Sequence, residues 1–264
     1  MKRELMRALV TGGAKRLGKE MALFLAERGF EVAIHYHSSK KSADELVEYI
    51  KTNFGKKSVA LSADLTKEAE VQGLVGRANE KLGGHISCLI NNASIFEYDN
   101  IWTANRDSWD RHIESNLRSP LVLTQSFAKQ VPPAKNDENS EPLAQGLIIN
   151  LIDQRVKKLT PEFTSYTIAK MGLWALTQTS AQALAPNIRV NAIGPGPTLK
   201  GARQSEEHFE SQRKNTVLGR GSDPSEIVSA VGYLLDAKSV TGQLICVDGG
   251  QHLAWQTPDV LGVE

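Results

Sequence analysis

The chain has 264 residues, of which 41% are hydrophobic and 23% are charged. This length suits one large α/β core, and the composition is that of a globular protein, which argues against a disordered, fibrous or membrane-spanning chain. Lysine and arginine number 31 against 30 aspartate and glutamate residues, so the formal net charge of +1 gives no overall field for binding nucleic acid or an anionic membrane. We expect a single domain over residues 1–264, with neither nucleic acid nor membrane as a partner.

Several other classes of protein are also disfavoured. Met1 to Leu9 contains no apolar signal core, and no apolar run approaches the ~20 residues that span a bilayer, so we expect a cytoplasmic protein. Cys88 and Cys246 lie in short apolar runs, where cysteine usually behaves as a small buried hydrophobe rather than as a disulfide partner or a reactive thiol. The six histidines form no metal-ligand pattern, and no G-x-S-x-G elbow indicates a hydrolase. We predict no catalytic metal.

Short β-like runs alternate with longer helix-like stretches, which is typical of parallel βαβ units. The predicted strands are Arg7–Thr11, Glu31–His35, Ser58–Ser62, Cys88–Asn91, Gly146–Leu151, Arg189–Ile193 and Gln243–Val247. The predicted helices cover 17–28, 41–53, 67–81, 107–130, 163–184 and 224–236. Pro132 to Gln145 is polar and contains proline, so we expect a mobile surface loop there. The alternation predicts a three-layer α/β fold of the Rossmann type, with a doubly wound, seven-stranded parallel sheet.

A glycine-rich turn, Thr11 to Gly18, connects the first predicted strand to the first predicted helix. Glycine lets the backbone approach a pyrophosphate, whose charge is favoured by the N–H groups and dipole of a helix N-terminus. The spacing departs from G-x-G-x-x-G, but the position after a strand and before a helix favours a dinucleotide site over a purely structural turn.

The segment after the second strand, His35 to Lys40, indicates which dinucleotide binds. An NAD site would normally place Asp or Glu here to bind the ribose 2′-hydroxyl, and none occurs before Asp44. The segment instead offers imidazoles, hydroxyls and an ammonium, and Lys15 and Arg16 add two cations in the glycine turn, which suits a 2′-phosphate. We therefore predict NADP(H) rather than NAD(H); the alternative is a solvated basic loop.

Tyr166 and Lys170 are spaced i and i+4 and so share one face of a predicted helix. A nearby ammonium stabilises phenolate, so we expect it to lower the tyrosine pKa from ~10 toward working pH and make the phenol a usable acid or base. The pattern occurs often by chance and needs a wider context.

Five motifs provide that context: the glycine turn, Asn91-Asn92-Ala93, Asn116, Tyr166 with Lys170, and Asn191 to Gly196. In this order they resemble the short-chain dehydrogenase/reductase family over nearly the whole chain. The resemblance implies that Tyr166 transfers a proton, that Lys170 holds the nicotinamide ribose and tunes Tyr166, and that Asn116 anchors a water relay. The alternative for Asn116 is a cap or kink residue inside a helix.

The resemblance also implies a wider set of cofactor-binding residues. Asp64 would contact the adenine, while Asn92 and Ala93 would line the cofactor. The full predicted set is Gly12, Lys15, Arg16, Leu17, Gly18, His35, Tyr36, His37, Ser38, Ser39, Asp64, Leu65, Asn92, Ala93, Ser94, Tyr166, Lys170, Pro195 and Gly196.

The family's catalytic serine should lie 13 residues before the tyrosine, but position 153 is aspartate. A serine hydroxyl can donate to a ketone oxygen as it becomes an alkoxide, whereas an ionised carboxylate only accepts and would repel the developing charge. A ring with N–H donors and a reducible C=N bond, such as a pterin, suits a carboxyl group better. Burial would raise the pKa of Asp153 and let it pass protons through Tyr166.

The same departure occurs in pteridine reductases, which this chain resembles at residues 11–18, at 35–39 and at 91–96. That resemblance implies that Phe96 stacks on the flat heterocycle, that Arg16 reaches cofactor and substrate, and that Ser94 makes a polar contact near the nicotinamide. The predicted substrate-binding residues are Arg16, Ser94, Phe96, Asp153 and Tyr166. The alternative for Phe96 is a core or lid residue.

Three functions remain open at this stage. The first is an NADPH-dependent reductase of dihydropteridines or dihydrofolate, the second a carbonyl reductase such as a 3-oxoacyl thioester reductase, and the third a catalytically silent NADP-binding regulator. The family's substrate loop would cover about 195–222. The helices 107–130 and 163–184 carry apolar residues on more than one face, namely Trp109, Leu117, Leu121, Leu123, Leu173, Trp174 and Leu176. The family resemblance implies that these helices pair between subunits in a homotetramer, with a dimer as the fallback.

Overall fold

A computed structural model describes residues 6–201 and 204–255. Its strands are β1 (Arg7–Val10), β2 (Glu31–Tyr36), β3 (Ser58–Ser62), β4 (Cys88–Asn91), β5 (Lys135–Asn136), β6 (Pro142–Leu143), β7 (Gly146–Leu151), β8 (Ile188–Pro195) and β9 (Leu244–Val247). Seven of these form one sheet in the order β3-β2-β1-β4-β7-β8-β9, with every pairing parallel. Residues 1–5 and 256–264 of the predicted domain, and 202–203 of the predicted substrate loop, lie outside the described residues.

Helices cover both faces of this sheet. They are α1 (Arg16–Glu27), α2 (Lys40–Phe54), α3 (Glu68–Gln72), α4 (Leu74–Leu82), α5 (Arg106–Ile113), α6 (Ser119–Ala128), α7 (Thr164–Leu184), α8 (Glu206–Lys214) and α9 (Pro224–Asp236). A π-helix, Glu114–Arg118, joins α5 to α6, and 3₁₀ turns cover Gln154–Lys157 and Gln251–Leu253. Among the described helices, none is long and apolar enough to span a membrane.

Two apolar clusters fill the space between the layers. One packs α1, α2 and α9 against one face of the sheet, and the other packs α4, α6 and α7 against the opposite face. The central strands are buried on both faces, as β7 is along its whole length, which is why their sequences are continuous apolar runs rather than alternating ones. The predicted three-layer, doubly wound fold is confirmed.

The structure departs from the predicted elements at four places. The helix predicted over 67–81 is divided at Gly73, which ends α3 and precedes α4. The helix predicted over 107–130 is interrupted by the π-helix. The loop 132–145 contains the β5–β6 hairpin, and the loop 195–222 contains α8. Leu123 and Leu173 are each 1% exposed, so these two residues belong to the core and not to an outer apolar face.

Candidate active site

A cleft of about 490 Å³ opens where β1, β4, β7 and β8 end. From β1 the sheet is built outward in one direction through β2 and β3, and from β4 it is built in the other direction through β7, β8 and β9. Ligands of open α/β sheets bind in the crevice where the strand order reverses in this way. The lining residues are Gly12, Lys15, Arg16, Leu17, Gly18, Asn92, Ala93, Ser94, Phe96, Leu151, Ile152, Asp153, Tyr166, Lys170, Pro195, Gly196, Thr198 and Leu199. Thus most residues that the sequence singled out line one cavity.

The glycine turn leaves no room for side chains at two positions. Gly12 has a φ of +60°, which disfavours other residues, and a Cβ on Gly18 would lie 2.1 Å from the Gly12 carbonyl oxygen. The Asn92 amide fixes the turn from β4 by donating to the carbonyl oxygens of Thr11 and Gly12 at 2.8 and 3.3 Å. Glycine is therefore favoured at position 12 by the backbone conformation and required at position 18 by close packing of backbone on backbone.

Helix α1 begins at this turn with its amide groups open to the cleft. Lys15 is its N-cap and makes no side-chain capping bond, and the first turn contains no acidic residue. The leading N–H groups of a helix need an acceptor, and the helix dipole favours an anion there. The end of α1 is consequently suited to a phosphate group.

Arg16 connects the glycine turn to the segment after β8. Its φ is +52°, an uncommon conformation for a residue with a side chain. Its guanidinium donates to the main-chain oxygens of Leu199 and Lys200, both at 3.0 Å. Arg16 therefore holds the start of the predicted substrate loop against the cofactor side of the cleft.

The structure corrects the prediction for His35, whose ring lies beneath the glycine turn and is 2% exposed. Its Nδ1 accepts the Gly12 N–H at 3.0 Å, and its Nε2 lies 3.0 Å from the Ala63 carbonyl oxygen. Burial lowers the pKa of His35 to about 4, so the ring is neutral. His35 supports the turn and cannot act as a cation for a phosphate.

The other predicted adenine-side residues lie at the ends of β2 and β3, away from the lining of the cleft. His37 is largely exposed, and its Nε2 lies 3.9 Å from an Asp64 carboxylate oxygen. Asp64 accepts from the main chain and the hydroxyl of Thr66 at 3.0 and 2.7 Å, and the hydroxyl bond is the main cause of its lowered pKa. The remaining members of this group are Tyr36, the last residue of β2, Ser38 and Ser39 after it, and the buried Leu65 after β3.

Asn116 is fully buried in the π-helix and faces the segment after β4. Its amide oxygen accepts the Ile95 N–H at 2.9 Å, and its amide nitrogen donates to the Ile95 carbonyl oxygen at 2.8 Å. A π-helix contains one extra residue relative to an α-helix and often occurs at functional sites. The side chain of Asn116 thus holds the stretch between Ser94 and Phe96 in place.

Tyr166 and Asp153 form the central contact of the cleft. The phenol of Tyr166 donates to Asp153 Oδ2 at 2.9 Å, and Asp153 Oδ1 accepts the Arg155 N–H at 2.8 Å. Burial raises the pKa of Asp153, against the opposing effect of these hydrogen bonds. Burial and the Asp153 charge raise the pKa of Tyr166 well above its usual value. The Tyr166 phenol therefore keeps its proton and directs it at Asp153, whose raised pKa favours uptake of a proton.

The expected lowering of the Tyr166 pKa by Lys170 is wrong for this structure, because burial and the carboxylate act in the opposite direction. The Lys170 ammonium donates to the Leu151 carbonyl oxygen at 2.8 Å and lies 5.7 Å from the centre of the Tyr166 ring. Burial lowers the pKa of Lys170 to about 8. Lys170 is thus close to the phenol ring, while the hydroxyl itself is bonded to Asp153.

An aromatic group borders the cleft beside Tyr166. The Phe96 ring stacks on Phe163 with centroids 4.4 Å apart, and it meets the edge of Tyr166 at 4.7 Å. Phe96 is still 49% exposed, so its surface remains available to a flat ligand. Sequence reasoning missed Phe163, although an aromatic residue three positions before Tyr166 could have indicated it.

Comparison with known proteins places this cleft in a family. A family model described as enoyl-(acyl carrier protein) reductase matches residues 12–252. A short-chain dehydrogenase/reductase of Armillaria gallica is 30% identical, over 92% of this chain and 94% of the relative. The chain belongs to the short-chain dehydrogenase/reductase family. It is therefore an oxidoreductase, as the ordered motifs predicted.

Other members of the short-chain family are similar over almost their whole length. The 3-oxoacyl-(acyl-carrier-protein) reductase FabG of Staphylococcus epidermidis is 31% identical over 93% of this chain and 98% of its own. The crystal structure of FolM alternative dihydrofolate reductase 1 from Brucella suis, in complex with NADP, has a TM-score of 0.89 and 44% identity, covering 97% of this chain and 98% of that one. The Brucella canis FolM structure, also complexed with NADP, has a TM-score of 0.87 and 42% identity at the same coverage.

Proposed function

We propose that this short-chain reductase uses NADPH to reduce a C=N bond of a dihydropteridine, the class that includes dihydrofolate. The observation that carries the proposal is the 2.9 Å hydrogen bond from the Tyr166 phenol to Asp153, at the position where a hydroxyl serves ketone reduction. The names of the two FolM structures support the same substrate class and the same cofactor.

The residues of the cleft fit a phosphorylated dinucleotide. Helix α1 presents uncapped amide groups, and the glycine turn favours glycine at Gly12 by its backbone conformation and requires it at Gly18 by close packing. Lys15 and Arg16 bring positive charge to this turn, and Asn92, Ala93, Pro195 and Gly196 line the rest. When bound, NADPH supplies the hydride for the carbon of the C=N bond. The protein must supply the proton for nitrogen.

Tyr166 and Asp153 supply that proton in our proposal. Because the phenol stays protonated, Tyr166 can donate its O–H hydrogen to the substrate nitrogen. Asp153, after it has taken up a proton from solvent, can then return a proton to the phenolate. The raised pKa of Asp153 makes the carboxyl group a proton source closer to neutral pH than an ordinary aspartate would be. Lys170 places its ammonium 5.7 Å from the centre of the Tyr166 ring, and this positive charge stabilises the phenolate that forms when the phenol gives up its proton.

The second candidate is a carbonyl reductase, which the similarity to FabG favours. Asp153 opposes it, since a carboxylate beside a developing oxyanion raises the energy of the transition state. The convergence of Tyr166, Asp153 and Lys170 in one cleft argues against the catalytically silent regulator, because a sensor has no need of a proton donor.

A substrate panel tests the proposal. NADPH oxidation is measured with dihydropteridines, dihydrofolate, oxidised pterins, quinones and 3-oxoacyl esters, and the preferred substrate is then measured with NADH. We expect dihydropteridines to be preferred and kcat/KM to be higher with NADPH. Preference for 3-oxoacyl esters would reject the substrate class, while equal use of NADH would reject the cofactor.

Asp153→Ser sharpens this test. It restores the hydroxyl that ketone reduction uses and removes the carboxyl group that faces Tyr166. We expect pteridine turnover to fall by ~10²-fold or more, as for the loss of a general acid, with ketone turnover unchanged or improved. The opposite pattern would favour the carbonyl reductase.

We also propose that the enzyme is a cytoplasmic homotetramer. Trp109 on α5 and Ile168 and Met171 on α7 are 38%, 43% and 38% exposed, and together they offer an apolar face of the kind that subunits cover. Cys88 and Cys246 are both free thiols, which agrees with a reducing compartment.

A further inference from the structure

Three buried polar side chains beside Tyr166 form a chain of hydrogen bonds that the proposed chemistry does not use. They are Asp99, Ser165 and His112, each at most 1% exposed. Ser165 directly precedes Tyr166 in α7, His112 lies in α5, and Asp99 lies in the segment between β4 and α5. The chain thus joins three separate parts of the fold next to the proton donor.

Asp99 determines the direction of these hydrogen bonds. One carboxylate oxygen accepts the Ser165 N–H at 3.1 Å, and the other accepts the hydroxyls of Ser165 and, at 3.0 Å, of Ser108. Burial raises the pKa of Asp99, but these hydrogen bonds outweigh burial and lower it. An ionised carboxylate only accepts, so the Ser165 hydroxyl donates to Asp99 and its oxygen is left to accept from His112.

The ring of His112 then has one permitted protonation state. Its Nδ1 lies 2.7 Å from the Ser165 hydroxyl oxygen, and its Nε2 lies 3.1 Å from the main-chain nitrogen of Glu97. Nδ1 must carry hydrogen to donate to Ser165, and Nε2 must be bare to accept the Glu97 N–H. Only the neutral ring with hydrogen on Nδ1 satisfies both contacts.

These contacts connect both sides of the substrate pocket. Glu97 follows Phe96, whose ring meets Tyr166 at 4.7 Å, and the His112 ring itself meets the Tyr166 ring edge-on at 6.0 Å. We propose that neutral His112 is a positioning residue that fixes Phe96 relative to Tyr166 for binding a flat heterocycle, and that protonation of its Nε2 releases the Phe96 segment. The inference rests on the proposed function, because that function supplies the heterocycle.

The charged groups around His112 determine when release occurs. Burial lowers the pKa of His112, the carboxylates of Asp99 and Glu97 and the Ser108 carbonyl raise it, and the Arg111 guanidinium lowers it; the net effect is a lowered pKa. Since the ordinary value is ~6.5, the ring is neutral at pH 7 and gains its proton only in more acid solution. The KM for the pteridine should therefore rise on acidification, with its midpoint below the ordinary histidine pKa of ~6.5, while the Kd for NADPH changes little.

His112→Phe keeps a ring of similar size but has no acceptor for Glu97. At pH 7.5 we expect the pteridine KM to rise about tenfold, the loss expected for a buried donor without a partner, with the NADPH Kd within twofold of wild type. The rise in KM on acidification should disappear in this variant. His85→Gln is the matched control, because His85 precedes the amino-terminal end of β4, whereas the cleft lies at the carboxyl end of that strand; it should behave as wild type.

A measurement without substrate checks the network itself. In protein with ¹⁵N-labelled histidine, NMR should show His112 with hydrogen on Nδ1 and a bare Nε2 at pH 7.5. The opposite tautomer, or a charged ring, overturns the inference even if His112→Phe does not fold. If the pteridine KM changes neither on acidification nor in His112→Phe, the positioning role alone is overturned. Failure of the wild type to reduce any dihydropteridine overturns the proposed function and this role together, whatever the NMR result.

Discussion

His35 makes the stability of the glycine turn depend on pH through a single titratable side chain. The buried ring accepts from Gly12 and contacts Ala63, so it joins β1 to the end of β3 through β2. A neutral imidazole is required by these contacts, and protonation in the folded protein is opposed by burial.

The free energy of unfolding should therefore fall in acid because of His35. Its pKa is about 4 in the folded protein, against ~6.5 when unfolded, so the unfolded state binds more protons between these values. The contribution is complete above pH 6.5 and falls by about 3 kcal/mol as the pH approaches 4. Denaturant unfolding of wild type and of His35→Gln, measured between pH 4 and pH 6.5, gives this contribution as the difference between the two proteins. All other groups titrate in both proteins and so cancel in the comparison. Parallel curves would contradict the assignment.

Much of the candidate site was predictable at the residue scale, because its members follow strand ends or share a helix turn. Tyr166 and Lys170 are four residues apart, and Asp153 was recognisable as a departure from serine. The pKa of Tyr166 was not predictable, since it depends on burial and on the contact with Asp153. The Asp99–Ser165–His112 chain was also missed, because residues more than 50 positions apart meet only in the folded protein.

At the element scale, the glycine turn, which continues into the first turn of α1, offers a test of local packing. In Gly18→Ala the new Cβ would lie 2.1 Å from the Gly12 carbonyl oxygen, a backbone atom that cannot move without deforming the turn. We expect a loss of about 2–4 kcal/mol in the free energy of unfolding and a loss of NADPH binding. Calorimetry and fluorescence titration measure the two effects.

Gly76→Ala provides the matched control within helix α4. A Cβ at Gly76 has no neighbour within 4 Å, so the substitution adds helix propensity without a clash. It should raise stability by about 0.5–1 kcal/mol and leave NADPH binding unchanged. If both variants behave alike, the close packing of the glycine turn is not what requires glycine there.

The sheet was more predictable than the helices. Each predicted strand matches its observed counterpart to within two residues at either end, because buried parallel strands appear as apolar runs bounded by polar residues and glycine. The break at Gly73 and the π-helix were missed. Both change the path of the backbone without interrupting the spacing of apolar residues, so the apolar periodicity does not indicate them.

For the whole molecule, the proposed assembly gives the clearest test. Ile168→Asp combined with Met171→Asp places two charges on the exposed apolar face of α7. Burial of an unpaired charge at an interface is costly, so the variant should sediment as a smaller species than wild type. Tyr49→Asp, on α2 and 51% exposed, should leave the sedimentation unchanged. A wild-type monomer in sedimentation would contradict the tetramer outright.

The π-helix at Glu114–Arg118 has a consequence for how insertions and deletions are tolerated. Removing one residue from this segment would restore regular α-helical winding and move the residues of the segment itself, while α5 and α6 keep the faces that they pack against the core. Asn116 would then leave its two bonds to Ile95. The helix that contains α5 and α6 would become regular, whereas the segment leading to Phe96 would lose the hydrogen bonds that hold it to Asn116. A shortened chain should fold well and reduce its substrate poorly.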